Sequence, residues 1–135
     1  ELREHLDEVM VEISLDPQQI QQVLLNLVIN AQHACTENGR VIVGTFREPT
    51  GPLPEGLDPG DFIEISVADN GMGITAQARA DIFKPFFTTK VQGTGLGLPI
   101  SRNIVEAHGG HMGCTSIAGE GTTFYVWLRK SVETT

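Results

Sequence analysis

PQQIQQVLLNLVINAQHACT, residues 17–36, carries no charged side chain, yet it holds five glutamines and two asparagines. Wound as a helix at about 100° per residue, it places Ile20, Val23, Leu24, Leu27, Ala31 and Ala34 on one face, a core stripe. Leu25 and Ile29 make the opposite face apolar as well, so little of this helix is expected to face water. Gln22, Asn26, Asn30 and His33 share the remaining strip, with the Asn26 and Asn30 amides one turn apart. A buried amide without a partner costs about 1–3 kcal/mol. Something polar must therefore lie against that strip. Asp16 is the expected N-cap and Pro17 the first helical residue. Glu37-Asn38-Gly39 reads as the stop.

Outward from this helix, the chain reads as strand, helix, two strands, a loop segment, helix, two strands. Residues 1–8 are charged and lack a strand pattern, which makes them a terminal arm. Strands are expected at 9–15, 41–46, 62–68, 111–117 and 122–129, the third by its clean alternation of apolar and polar residues. Residues 48–61 are rich in proline and glycine and read as a surface loop. Residues 75–83 fit a short helix. A second long helix is expected at about 98–108, with Ile100, Ile104 and Ala107 on its core face and Gly109-Gly110 as its stop. The expected organisation is an arm (1–8), one domain (9–130) and a tail (131–135). The fold class is α/β: a two-layer sandwich of a mixed β-sheet with about three helices on one face.

At 135 residues, with 40% apolar content, the chain is one domain with a real core. A net charge of −8 argues against nucleic acid or an anionic membrane as the main partner. It leaves phosphate ligands open, because they need only local donors. Cys35 and Cys114 form no disulfide framework, which points to two inert thiols and a reducing, cytoplasmic setting. No stretch reads as a membrane span or signal peptide. The start at Glu1 points to a piece of something longer.

Three further stretches carry chemistry. Asp69-Asn70-Gly71-Met72-Gly73-Ile74 follows the third strand. A carboxylate there accepts and cannot donate, so it suits an exocyclic amine, as on adenine, and repels a carbonyl, as on guanine. Glycines let a flat base approach the backbone. In Gly93-Thr94-Gly95-Leu96-Gly97-Leu98-Pro99, three alternating glycines lead into a helix start, where free N–H groups favour phosphate. No Gly-Lys-Ser/Thr follows, so this is not a Walker A loop, and Leu98 stands where a dinucleotide fingerprint needs glycine. Between them, Phe83-Lys84-Pro85-Phe86-Phe87-Thr88-Thr89-Lys90 holds three of the six phenylalanines in a segment expected to be mobile. Lys90 lies within reach of a terminal phosphate.

Together with Gly119-Glu120-Gly121-Thr122, these stretches resemble, in order and spacing, the catalytic and ATP-binding domain of bacterial sensor histidine kinases. The resemblance covers about residues 9–129. Asn26 to Ala31 resembles that family's N box, DNGMG its G1 box, FKPFFTTK its F box in the nitrogen-regulation version, and GTGLGL its G2 box. It implies the Bergerat fold of the GHKL group, shared with DNA gyrase, mismatch-repair ATPases and heat-shock chaperones. It also implies ATP and Mg²⁺ as ligands. By resemblance, Asn30 is the metal ligand and Asn26 supports metal and phosphates; Asn26, Asn30 and Lys90 form the catalytic set. Asp69 would bind the adenine amine, with Gly71, Gly73 and Thr122 lining the base. Ile74, Leu98 and Phe124 would wall it. Gly93, Thr94, Gly95, Leu96 and Gly97 would receive the phosphates, and Lys90 the γ-phosphate. His33 departs from the lysine many relatives carry there and would make a weaker phosphate contact.

Three functions stay open on the residues: phosphoryl transfer to a histidine, ATP hydrolysis as in the gyrase branch, or a silent nucleotide-binding module. The hydrolysing branches carry glutamate where this chain has Asn26, an amide that cannot act as a base. That favours the kinase. The phosphoacceptor histidine is expected on a separate dimerisation domain of the same protein, with a response regulator downstream and no nucleic-acid or direct membrane contact. His5, followed by Leu-Asp-Glu, only loosely echoes an acceptor motif, and too few residues separate it from Asn30. His33, His108 and His111 are expected inside the catalytic layer.

Overall fold

The computed structural model describes residues 2–6, 15–35, 38–84 and 97–130. Among these residues, five strands form one sheet: β1 (Leu2–Leu6), β2 (Val41–Phe46), β3 (Phe62–Asp69), β4 (His111–Ile117) and β5 (Gly121–Arg129). Their spatial order is β1-β2-β3-β5-β4. β1 runs parallel to β2, and every other pair is antiparallel, so the sheet is mixed as expected. α1 (Pro17–Ala34), α2 (Ala76–Arg79) and α3 (Gly97–Ala107) complete the two layers.

The helix start follows the sequence closely. Asp16 Oδ1 accepts from the Gln18 and Gln19 N–H groups, and Pro17 opens the helix where its missing N–H costs nothing. The stop comes earlier than expected, at a Cys35 cap, and Asn38 rather than Gly39 takes the left-handed conformation (φ 67°). Ile20, Val23, Leu27 and Ala31 are buried as expected. They meet Val67, Phe124, Val126 and Leu128 from the sheet and Val105 from α3 in one core.

Three expectations are corrected. Leu2–Leu6, within the expected arm without strand pattern, pair with Val41–Thr45 as the sheet edge. Backbone pairing to an existing strand needs no alternation in the added one. The outer face of α1 is not buried: Leu25 is 59% and Ile29 38% exposed, because among the described residues no further element packs on that side of the single helical layer. On α3 the core face is turned by one residue. Ser101 and Val105 are buried, while Ile100 is 41% exposed and Ala107 is exposed. Ile104 packs on the core as expected. The strand expected at 9–15 falls outside the described residues except for Leu15, which is irregular. The helix of 75–83 shortens to Ala76–Arg79 on a Thr75 cap. No described helix is long and apolar enough to cross a membrane.

The loop of 48–61 does more than cover surface. Its Thr50 and Gly51 are bound by Glu64, which lies fully buried on the sheet face opposite the helices. Trp127, Phe62 and stacked Tyr125 fill that face. Gly113 lies beneath the Trp127 ring, where a Cβ would come within 2.5 Å of it.

Candidate functional site

The C-terminal end of α1, the turn after β3, the start of α3 and the β4–β5 hairpin converge at one end of the helix layer. Asn26 and Asn30 are half-buried there. The Asn26 amide donates through Nδ2 to Ser101 Oγ at 3.2 Å. Ser101 is fully buried, and it is the polar partner that the strip on α1 demanded. With Nδ2 engaged, Oδ1 is the Asn26 atom left to accept or ligate. His33, in the last turn of α1, is exposed rather than part of the packed layer.

The Asp69–Ile74 turn is fixed on two sides. Met72 N–H donates to Ala34 O at 3.1 Å, and Met72 O accepts from Gly119 N–H at 2.7 Å. Asn70 Oδ1 accepts from Arg40 N–H at 2.6 Å, which ties the turn to the start of β2. Glycine is required at two places. A Cβ on Gly71 would stand 2.4 Å from Ala34 O. Gly73 combines φ +72° with a Cβ position 2.2 Å from Ile117 O. Asp69 is half-exposed and its Oδ1 accepts from Gly71 N–H at 2.9 Å.

Beside it opens a cleft of about 330 Å³, lined by Asp69, Arg79, Ser116, Glu120 and Thr122 among others. Asp69 and Thr122 are register partners across β3 and β5. Ser116 Oγ takes the Ile74 N–H at 2.7 Å and bonds Gly121 O and Thr122 Oγ1. Ile74 and Leu98 pack on the core near buried Phe124, whose ring meets Phe83 edge-on at 6.5 Å. Burial pushes the Cys114 thiol up to about 11; the Arg79 charge opposes this and the Asp69 charge adds to it.

The structure thus gathers Asn26, Asn30, Asp69, Gly71, Gly73, Ile74, Gly97, Leu98 and Thr122 around one end of the helix layer. Lys90, Gly93, Thr94, Gly95 and Leu96 lie outside the described residues. Sequence reasoning missed Ser101, Ser116, Arg79 and Glu120. Only Ser101 had a signal, the demand for a polar group against the α1 strip. His108 was placed in the layer without a task. It staples α3 to the α1 cap: its Nε2 accepts from Asp16 N–H at 3.0 Å while Nδ1 donates to Ile104 O at 2.7 Å. His5 sits on β1, paired with Gly44, not on a helix.

A family model described as histidine kinase-, DNA gyrase B- and HSP90-like ATPase matches residues 15–132. The sensor histidine kinase ZraS of Escherichia coli (strain K12) is 41% identical over 128 residues, covering 95% of this chain and 25% of that protein. The signal transduction histidine-protein kinase AtoS of the same organism is 39% identical over 123 residues, covering 91% and 19%. The chain therefore spans about a quarter or less of the curated relatives it matches. Among solved structures, the nucleotide-free catalytic domain of histidine kinase ThkA superposes with a TM-score of 0.76 at 32% identity, covering 96% of this chain and 79% of that one. Full-length ShkA in complex with AMPPNP gives 0.77 at 29% identity, covering 100% and 26%. The chain belongs to the histidine kinase-, DNA gyrase B- and HSP90-like ATPase family, as an ATP-binding catalytic domain homologous to those of sensor histidine kinases.

Proposed function

We propose that this chain holds Mg·ATP between α1, the Asp69–Ile74 turn and α3, and passes the γ-phosphoryl group to a histidine on a separate dimerisation domain of the same protein. A response regulator then takes the group from that histidine. The observation that carries this reading is Asn26: a neutral amide, tied through Nδ2 to buried Ser101, stands where a hydrolase needs a carboxylate. With an amide rather than a carboxylate at position 26, water is a poor competitor, and a neutral imidazole arriving in line is the better nucleophile. A P–N bond forms as the β–γ bridging P–O bond breaks, and ADP leaves.

The donor set fits a hard divalent cation. Mg²⁺ takes oxygen ligands and keeps several waters, and two amide oxygens one turn apart suit that chemistry without adding negative charge beside a triphosphate. When bound, Mg²⁺ would neutralise phosphate charge. Asn30 would hold it, and Asn26 Oδ1 would support it or its water. Asp69 and Thr122 would take the base, with Gly71 and Gly73 allowing its close approach and Ile74, Leu98 and Phe124 as its apolar walls. Gly97 opens α3, with N–H groups in its first turn for phosphate; Gly93, Thr94, Gly95 and Leu96 would continue that cradle. Lys90 would meet the γ-phosphate, while exposed His33 would contribute weakly. The free thiols Cys35 and Cys114 support a reducing, cytoplasmic setting.

Asn30→Ala is expected to weaken Mg·ATP binding by about tenfold or more, the loss of one charge-assisted ligand. It should abolish transfer to a supplied dimerisation domain, while the ligand-free chain still unfolds in one cooperative transition. Undiminished transfer would overturn the metal assignment.

A further inference from the structure

We infer that Ser116 fixes the direction of the Thr122 hydroxyl and so makes the end of the cleft an acceptor-only surface, which selects a base bearing an amine over one bearing a carbonyl. This rests on the reading that the base lies against Asp69 and Thr122.

The available protons fix the direction of each bond. Ser116 Oγ has one. The Ile74 N–H, 2.7 Å away, can only donate, so it occupies a lone pair of Ser116 Oγ. Gly121 O, 3.0 Å away, can only accept, so it takes the one Ser116 proton. The 2.8 Å contact between Ser116 Oγ and Thr122 Oγ1 then needs its proton from Thr122. Thr122 has no second hydroxyl proton. What it can still offer a ligand is a lone pair.

Three elements hold this arrangement: the Asp69–Ile74 turn, β4 and the start of β5. Thr122 is 4% exposed, so water gives it little alternative. Gly121, at φ +141° with its Cβ position 2.1 Å from Asp69 O, holds the carbonyl that takes the Ser116 proton against the end of β3. Asp69, the register partner of Thr122, is also an acceptor while ionised. An exocyclic amine at this end meets two acceptors, whereas a carbonyl meets two acceptors and no donor. Ser116 is thus a positioning residue: it acts on the base through Thr122.

The test is titration of ATP and ITP, which exchange amine for carbonyl at C6 and an unprotonated for a protonated N1, into the parent chain, the Ser116→Ala, Thr122→Val and Asp69→Asn variants and the Ser116→Ala/Thr122→Val double variant, with melting temperatures recorded. Ser116→Ala frees the Thr122 hydroxyl to donate. It should narrow the ATP:ITP affinity ratio by about five- to tenfold, the worth of one hydrogen bond reversed in sense. Thr122→Val should narrow the ratio as well, and the double variant should go no further than the larger single effect. If Ser116→Ala weakens both nucleotides equally while Asp69→Asn narrows the ratio, Ser116 is merely structural and the inference fails. If Asp69→Asn leaves the ratio unchanged, the base lies elsewhere, and the reading beneath the inference fails with it.

Discussion

Glu64 and Asp69 stand five residues apart on β3, on opposite faces of the sheet, and they illustrate two uses of a carboxylate. Glu64 is 0% exposed. Its oxygens accept from Thr50 N–H at 3.0 Å, Thr50 Oγ1 at 2.5 Å, Gly51 N–H at 2.9 Å and Trp127 Nε1 at 3.0 Å. Such a group is held by the fold and holds it in return; it pins the proline-rich loop over the back of the sheet. Asp69 accepts from the Gly71 N–H of its own turn and stays half-exposed at the mouth of a cleft. Residue type is therefore a poor guide to function, and the donors around each carboxylate are a better one. Where the chain encloses the carboxylate completely, it is structural; where the carboxylate borders a cavity, a ligand's donor can reach it.

Substitution should separate the two uses. Glu64→Ala strands the buried Trp127 indole N–H, takes the acceptor from the Thr50 and Gly51 N–H groups and leaves a cavity. It should cost about 3–5 kcal/mol of stability, a fall of some 10 °C or more in melting temperature. Nucleotide affinity measured well below the transition should not change. A loss of affinity without a loss of stability would erase the distinction. Asp69→Asn should do the reverse. Its amide places a donor against the amine, costing about 1.5–3 kcal/mol of ATP binding, roughly ten- to a hundredfold. The ligand-free chain should lose far less stability than with Glu64→Ala, since the Gly71 N–H keeps an acceptor.

The contrast also shows what the sequence could reveal. The N-cap, the proline start and the buried stripe of α1 were legible because they are local and periodic. So was β3, whose alternation encodes its two faces. The edge strand Leu2–Leu6 was not, because β2 supplies its partner groups and its own side chains need not alternate. The α3 face was misread because Ser101, a polar residue, is buried to serve Asn26, 75 residues earlier. Asp69 could be singled out by the glycine turn that follows it. Ser116 and Glu64 gave no local sign, since their partners come from strands and loops distant in sequence. Asn26 and Asn30 were marked by stacked amides on an uncharged helix and Asp69 by the glycine turn after its strand; the groups that orient them were not.

A smaller effect probes the Asp69 side of the sheet through Cys114. Burial raises this thiol from 9.0 to about 11, with the Asp69 charge adding to the shift and Arg79 opposing it. The folded chain therefore keeps a proton that the unfolded chain gives up above pH 9. By linkage the stabilisation is present below that pH and is lost as pH rises toward 11. Partial exposure screens the effect, so the loss is about 1 kcal/mol. Cys114→Ala should flatten this alkaline slope in urea melts taken across that range, and an unchanged slope would assign it to other groups.

The most direct measurement is a Mg·ATP titration of the ¹⁵N-labelled chain followed by its amide and indole signals. Saturable shifts are expected at Asp69–Ile74, Ser101 and Thr122 on the helix side, with the Trp127 indole and the Thr50 and Gly51 amides around Glu64 unmoved. Shifts centred on Trp127 and the proline-rich loop, with Asp69 and Thr122 silent, would contradict it.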